Sequence, residues 1–221
     1  MLKKTLRGHD GVKDETFMNT SIDWSNFNST LLIEVTRPNG VFTSSGVAIN
    51  SNTVLTAAHC LEGEILKIRV SNNFTYNPKS TFFEVASFEI HPEYNKKESN
   101  FKSDLAKIKL KTHLPVETIF FPIIKKDKDL IGKIMRLGFG SRNDQNSRTL
   151  ITPELKEVRS LEKVLELNDI FSFSGDSGGP IFIQNQGQMY LVAIHSTLSY
   201  GPEGKYSYNP LLSSHRDWIS A

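Results

Sequence analysis

The run 171-FSFSGDSGGP-180 is too rich in glycine and serine to be a packed strand or helix. Either it is a sharp loop and nothing more, or it turns Ser177 and several backbone N–H groups toward a substrate. A serine hydroxyl is a weak nucleophile until a neighbouring base takes its proton. Acyl transfer also needs donors for the oxyanion that forms. Glycine lets backbone N–H groups crowd a reacting carbonyl with no Cβ in the way, so the amides of Gly175 and Ser177 could converge into an oxyanion hole. The candidate base is His59, which follows two alanines in 54-VLTAAHC-60. The candidate orienting acid is Asp104, at the head of the alternating run 103-SDLAKIKL-110. Taken singly, each has an ordinary reading: a turn, a structural histidine, an acid before a strand. Together, in the chain order His, Asp, Ser, they supply the base, orienter and nucleophile of covalent acyl transfer.

Such residues, far apart in sequence, must be brought together by the elements around them. Short apolar runs at 31-LLIEV-35, 65-ILKIRV-70, 105-LAKIKL-110, 133-KIMRLGF-139, 181-IFI-183 and 190-YLVAI-194 read as strands. Breaker clusters separate them, at 37-RPNG-40, 50-NSN-52, 71-SNN-73, 77-NPKS-80, 141-SRNDQNS-147, 184-QNQGQ-188 and 201-GPEG-204. Many short strands with frequent turns predict an all-β sandwich or barrel. The segment 154-ELKEVRSLEKVLEL-167 fits strand or helix, and 213-SSHRDWISA-221 predicts a short amphipathic helix begun by a serine cap.

Composition narrows the function classes. At 221 residues the chain suits one large domain or two small lobes. Its 26 basic and 24 acidic residues nearly cancel, so neither a nucleic acid nor a membrane surface is an expected partner. No apolar run approaches the ~18 residues of a membrane span, and the basic start MLKKTLRGHDG is not followed by the apolar stretch of a signal peptide. The single cysteine, Cys60, excludes an intramolecular disulfide and reads as a small buried hydrophobe. The stretch 19–30 reads as a surface loop with Asn-x-Ser/Thr triplets at Asn19 and Asn28, and another triplet stands at Asn73. Glu62 and Glu64 form no recognisable metal-ligand set.

VLTAAHC, SDLAKIKL and GDSGGP resemble the three catalytic boxes of the trypsin/chymotrypsin-like serine proteases. Further similarities are 90-IHPEYN-95, 138-GFG-140 and 217-DWI-219, and the resemblance runs from about residue 31 to the C-terminus. It implies an all-β fold of two six-stranded antiparallel barrels with a short C-terminal helix. The first lobe, 1–115, would carry His59 and Asp104; the second, 116–221, would carry Ser177, with the active site in the cleft between them. It implies a serine endopeptidase in which Ser177 attacks a peptide carbonyl and His59 shuttles the proton. Asp104 would hold the imidazole, and no metal or organic cofactor would be needed. The implied partners are a protein or peptide substrate and a protein inhibitor, and the implied location is secreted or periplasmic.

Departures from the family pattern bear on specificity and activation. The expected partner position of Cys60 falls near Ser44, and the missing disulfides fit a bacterial chain better than a vertebrate extracellular one. The short spacing from Asp104 to Ser177 suggests trimmed loops in the second lobe. Where trypsin-like members carry an aspartate six positions before the nucleophile, this chain has Phe171, so Arg or Lys is not the expected P1 residue. The rest of the S1 set is Ser172, Ser174, His195, Ser196 and Thr197. Because 192-VAIHST-197 is similar to a segment of glutamyl endopeptidases, P1 Glu and a small or apolar P1 both remain open. In the family's activation scheme Asp176 would pair with a newly freed N-terminus, and 6-LRGHDGV-12 makes Leu6 the candidate. Two rival readings are a catalytically silent homologue used for binding, and an esterase. The serine-last order argues against the hydrolase elbow of α/β esterases.

Overall fold

The structure is a computed structural model that describes residues 23–73, 76–79, 81–95, 101–142, 145–146, 149–151, 154–159, 162–201 and 204–221. Six strands fill the first half: β1 (Thr30–Arg37), β2 (Gly40–Asn50), β3 (Thr53–Thr56), β4 (Lys67–Ser71), β5 (Phe83–Ile90) and β6 (Ala106–Leu110). They close into a barrel in the order β1-β2-β3-β6-β5-β4. Arg37 stands opposite Gly40, so Pro38 and Asn39 form the hairpin turn that the breaker cluster predicts.

Strand alternation explains why these runs are apolar on both faces. Val54 points into the barrel core with Ile33, Val70 and Ile108, whereas its neighbour Leu55 joins a second cluster with Leu137, Phe182 and Ile194. The second cluster glues the two halves together, each fully buried large side chain contributing ~1.5–3 kcal/mol.

The second half contains β7 (Lys133–Gly138), β8 (Ser141–Arg142), β9 (Gln145–Asn146), β10 (Thr149–Ile151), β11 (Glu154–Arg159), β12 (Val164–Asn168), β13 (Pro180–Asn185), β14 (Gln188–Ile194), β15 (Thr197–Gly201) and β16 (Gly204–Pro210). They form two four-stranded sheets, β10-β7-β13-β14 and β11-β12-β16-β15, and the small ribbon β8-β9. Ile181, Ile183 and Val192 of the first sheet meet Leu165 and Leu167 of the second in one core. The fold is all-β, of the double-barrel type, with a short C-terminal helix, α1 (Arg216–Ser220).

Three local expectations are corrected or settled. The ambiguous 154–167 segment is the pair β11 and β12, because Val164, Leu165 and Leu167 are drawn into the sheet core beside β16. The C-terminal helix has no serine cap. A 3-10 turn, Leu212–His215, precedes α1, His215 takes the cap position without a side-chain bond, and the Ser213 hydroxyl donates instead to Asp127. Asn28 lies in the 19–30 stretch, but its amide clasps a loop: Nδ2 donates to the Glu117 carbonyl and Oδ1 accepts from the Ile119 amide, both at 2.8 Å. Asn19 and the Leu6 region lie outside the described residues.

Candidate active site

The register of β3 with β6 brings His59 and Asp104 together. Thr56 pairs with Ala106, so the chain leaving β3 runs alongside the chain entering β6. His59 sits three residues past that pair, in the 3-10 turn Ala58–Leu61, and Asp104 two residues before it. Ala57 and Ala58 are fully buried, which is why this corner needs small residues. The Asp104 carboxylate takes two hydrogen bonds from His59: the backbone N–H at 2.9 Å on Oδ1 and ring Nδ1 at 2.7 Å on Oδ2. The Ser196 hydroxyl also donates to Oδ2. Burial works against this carboxylate, but the bonds from His59 and Ser196 outweigh it and hold the carboxyl below its ordinary range.

With Nδ1 committed to Asp104, Nε2 is the ring's basic atom. Burial disfavours the imidazolium, yet the Cys60 sulfur and the Asp104 carboxylate overcome it and push the His59 pKa up. Nε2 lies 3.6 Å from Sγ of Cys60. Cys60 is therefore half-buried, packed against the second core cluster with its sulfur beside the His59 ring. Among the described residues Ser177 Oγ makes no hydrogen bond to Nε2. The two side chains line one cleft of about 270 Å³, together with Ser174 and Gly175.

Nearly every polar backbone group around Ser177 is tied down. Phe173 N–H donates to the Asp176 carboxylate at 3.0 Å, and Asp176 N–H to the Phe173 carbonyl at 3.1 Å. Gly178 and Gly179 donate to the carbonyls of His195 and Asp176, and Ser45 N–H donates to the Ser177 carbonyl. Ser45 Oγ bridges the lobes, giving a 2.7 Å bond to the Gly175 carbonyl and accepting a 2.8 Å bond from Phe139 N–H. Among the described residues the amides of Gly175 and Ser177, the same pair picked out in the sequence, donate no bond. Gly175 adopts φ +100°, a region that side chains rarely enter. A Cβ at Gly178 would run into the Ser45 carbonyl and Thr56 Oγ1.

The S1 candidates divide. Ser174 lines the cleft, whereas Ser196 serves Asp104 and keeps Thr197 Oγ1 at 3.2 Å from its own hydroxyl. His195 is 1% exposed and bonded through both ring nitrogens. Asn209 Nδ2 donates to the Leu165 carbonyl and to Ser207 Oγ, which turns Oδ1 toward the His195 Nδ1–H at 3.1 Å. Nε2 then accepts the Ser172 hydroxyl at 2.7 Å. Burial, with Arg136 nearby, pushes the His195 pKa down to about 4, so the ring is neutral at physiological pH. The Phe171 carbonyl accepts from Arg136, 3.3 Å away.

Arg136, Ser45 and Asn209 escaped the sequence reading. Arg136 did leave a signal: it is the one charge within IMRLG, the part of β7 that is buried at every position.

The chain matches the family model Trypsin over residues 26–219. It is 25% identical over 226 residues to "CLIP domain-containing serine protease B4" of Anopheles gambiae, with 83% of this chain and 61% of that protein covered. It thus spans less than two thirds of the length of that curated relative. With the match running across both halves of the double barrel, the chain belongs to the trypsin family of serine proteases.

Proposed function

We propose that the protein is a serine endopeptidase acting through an acyl-enzyme, with Ser177 as nucleophile, His59 as general base and acid, and Asp104 as orienter. The carrying observation is the double hydrogen bond from His59 to Asp104, which leaves Nε2 as the basic atom beside the cleft that Ser177 lines. As Ser177 Oγ attacks a peptide carbonyl, Nε2 takes its proton and later delivers it to the leaving amine. The imidazolium formed in between is stabilised by Asp104. The oxygen of the tetrahedral intermediate is received by the Gly175 and Ser177 amides. The His59–Ser177 bond forms on substrate binding, since catalytic hydrogen bonds are commonly long in the unliganded enzyme.

On this reading the lobes are 1–115 and 116–221. A neutral, doubly bonded His195 offers no cation to a substrate carboxylate, which supports a small or apolar P1 residue over Glu. The enzyme would act outside the cytoplasm, secreted or periplasmic. Among the described residues no helix is long and apolar enough to cross a membrane.

A fluorophosphonate probe tests the mechanism: labelling is expected in the full chain and should vanish in Ser177→Ala. An unlabelled, folded protein would instead identify a silent homologue. A peptide library varied at P1 tests the pocket, and cleavage after Glu tenfold faster than after Gln would overturn the small-P1 reading. Recovery of the protein with cytoplasmic markers on cell fractionation would overturn the location.

A further inference from the structure

Arg136 and Asp176 both have side chains of 0% exposure, at the junction of β7 and the nucleophile loop. A guanidinium keeps its charge in proteins, so a buried one must be matched by acceptors. Nε and Nη2 of Arg136 donate to Asp169 at 2.6 and 3.0 Å, and Nη2 reaches the Phe171 carbonyl at 3.3 Å. Nη1 lies 3.1 Å from Asp176 Oδ2, as an ion pair outside hydrogen-bond alignment. The Asp176 carboxylate also accepts the Gly140 amide at 2.8 Å and the Phe173 amide at 3.0 Å.

Asp176 stands between Gly175 and Ser177, whose amides donate no bond among the described residues. Whatever fixes its side chain also fixes the two flanking peptides. Contacts from Gly140, Phe173 and Arg136 do so from inside the fold, and the charged one comes from the neighbouring strand. We propose that Arg136 is the positioning residue of the oxyanion loop, an internal cation that holds Asp176, and with it the Gly175 and Ser177 amides, in the receptive arrangement. Activity then does not depend on a freed N-terminal amine at Leu6 or elsewhere. This rests on the assignment of those two amides as oxyanion donors. Asp169 has a defined part in it: by gripping Nε and Nη2 it aims Nη1 at Asp176.

The test uses the full chain in two arms. In the first, the N-terminus is blocked by acetylation, and kcat/KM toward a peptide ester is expected to stay within twofold. A loss of tenfold or more overturns the proposal. In the second, Arg136→Met is expected to lower kcat about 10²–10³-fold, as loss of an oxyanion donor does. KM should change little, and affinity for a boronic-acid transition-state analogue should fall in parallel. Arg136→Lys, which keeps a cation, should recover part of kcat and part of that affinity. If Arg136→Met does not fold, Arg136→Lys carries the same readouts, with kcat and analogue affinity falling together and KM holding. Equal losses in kcat and in the folded fraction, with analogue affinity per folded molecule unchanged, would overturn the positioning role. If the parent chain takes no fluorophosphonate at Ser177, the proposed function itself has failed. A labelled parent indifferent to Arg136 sinks only this inference.

Discussion

His59 and His195 each stand beside a buried aspartate, yet their rings are pushed in opposite directions. His59 Nδ1 is 2.7 Å from Asp104, whose other donors are a backbone amide and the Ser196 hydroxyl. No cation is among these donors, so the negative charge of Asp104 is available to an imidazolium. His195 Nδ1 is 3.8 Å from Asp169, but both oxygens of that carboxylate grip Arg136. The His59 side chain is 34% exposed and its pKa is raised; the His195 side chain is 1% exposed and its pKa falls to about 4. An adjacent carboxylate makes a histidine a stronger base only when no fixed cation has already taken up its charge.

The sharpest way to break this comparison is to neutralise each aspartate in turn. Asp104→Asn should lower kcat by about 10⁴, because the wrong tautomer is held, while the thermal transition moves little. A loss of less than tenfold would remove Asp104 from the mechanism. Asp169→Asn should do the reverse, costing about 3–5 kcal/mol in urea unfolding by stranding part of a buried guanidinium. Its effect on kcat per folded molecule should be smaller than that of Asp104→Asn.

Stability against pH separates the rings by sign. His195 takes up its proton at about pH 4 when folded but near 6.5 when unfolded, so its contribution holds above pH 6.5 and is lost as pH falls toward 4. The full loss is on the order of 3 kcal/mol. His215, also near 4 and bonded to His91 and to the Lys102 carbonyl, adds to the same slope. His59, with a raised value, contributes stability below pH 6.5 that is lost as pH rises through its folded pKa. Urea midpoints from pH 4 to 7 should climb, and His195→Gln should flatten that climb; an unchanged slope would contradict the assignment. The smallest effect is expected from Cys60→Ala. Removing the sulfur beside Nε2 should move the acid limb of kcat/KM to lower pH, since His59 must be neutral to act as base.

How much of this was legible in the sequence depended on whether the deciding contact was local. The apolar runs at 31–35 and 190–194 became strands because their side chains alone favour that outcome. The 154–167 segment resisted because its spacing suits either element, and only burial beside β16 selects strands. His59 and Asp104 were legible as types in order, but their contact follows from the register of Thr56 with Ala106. Ser196 reads in the sequence as a pocket residue, and its bond to Asp104, between residues of different lobes, was not legible there. The serine cap failed because Ser213 finds a distant acceptor, Asp127.

The sequence by itself determined the chemistry available: a serine in a glycine loop, a histidine after small residues, an aspartate before a strand, and no aspartate at position 171. Which charges each histidine feels was decided only by the tertiary structure. Arg136 is one cation in the apolar run IMRLG until folding sets it between Asp169 and Asp176. Charge interactions in a buried site depend on distances across strands that are remote in the chain, and composition and spacing do not carry those distances.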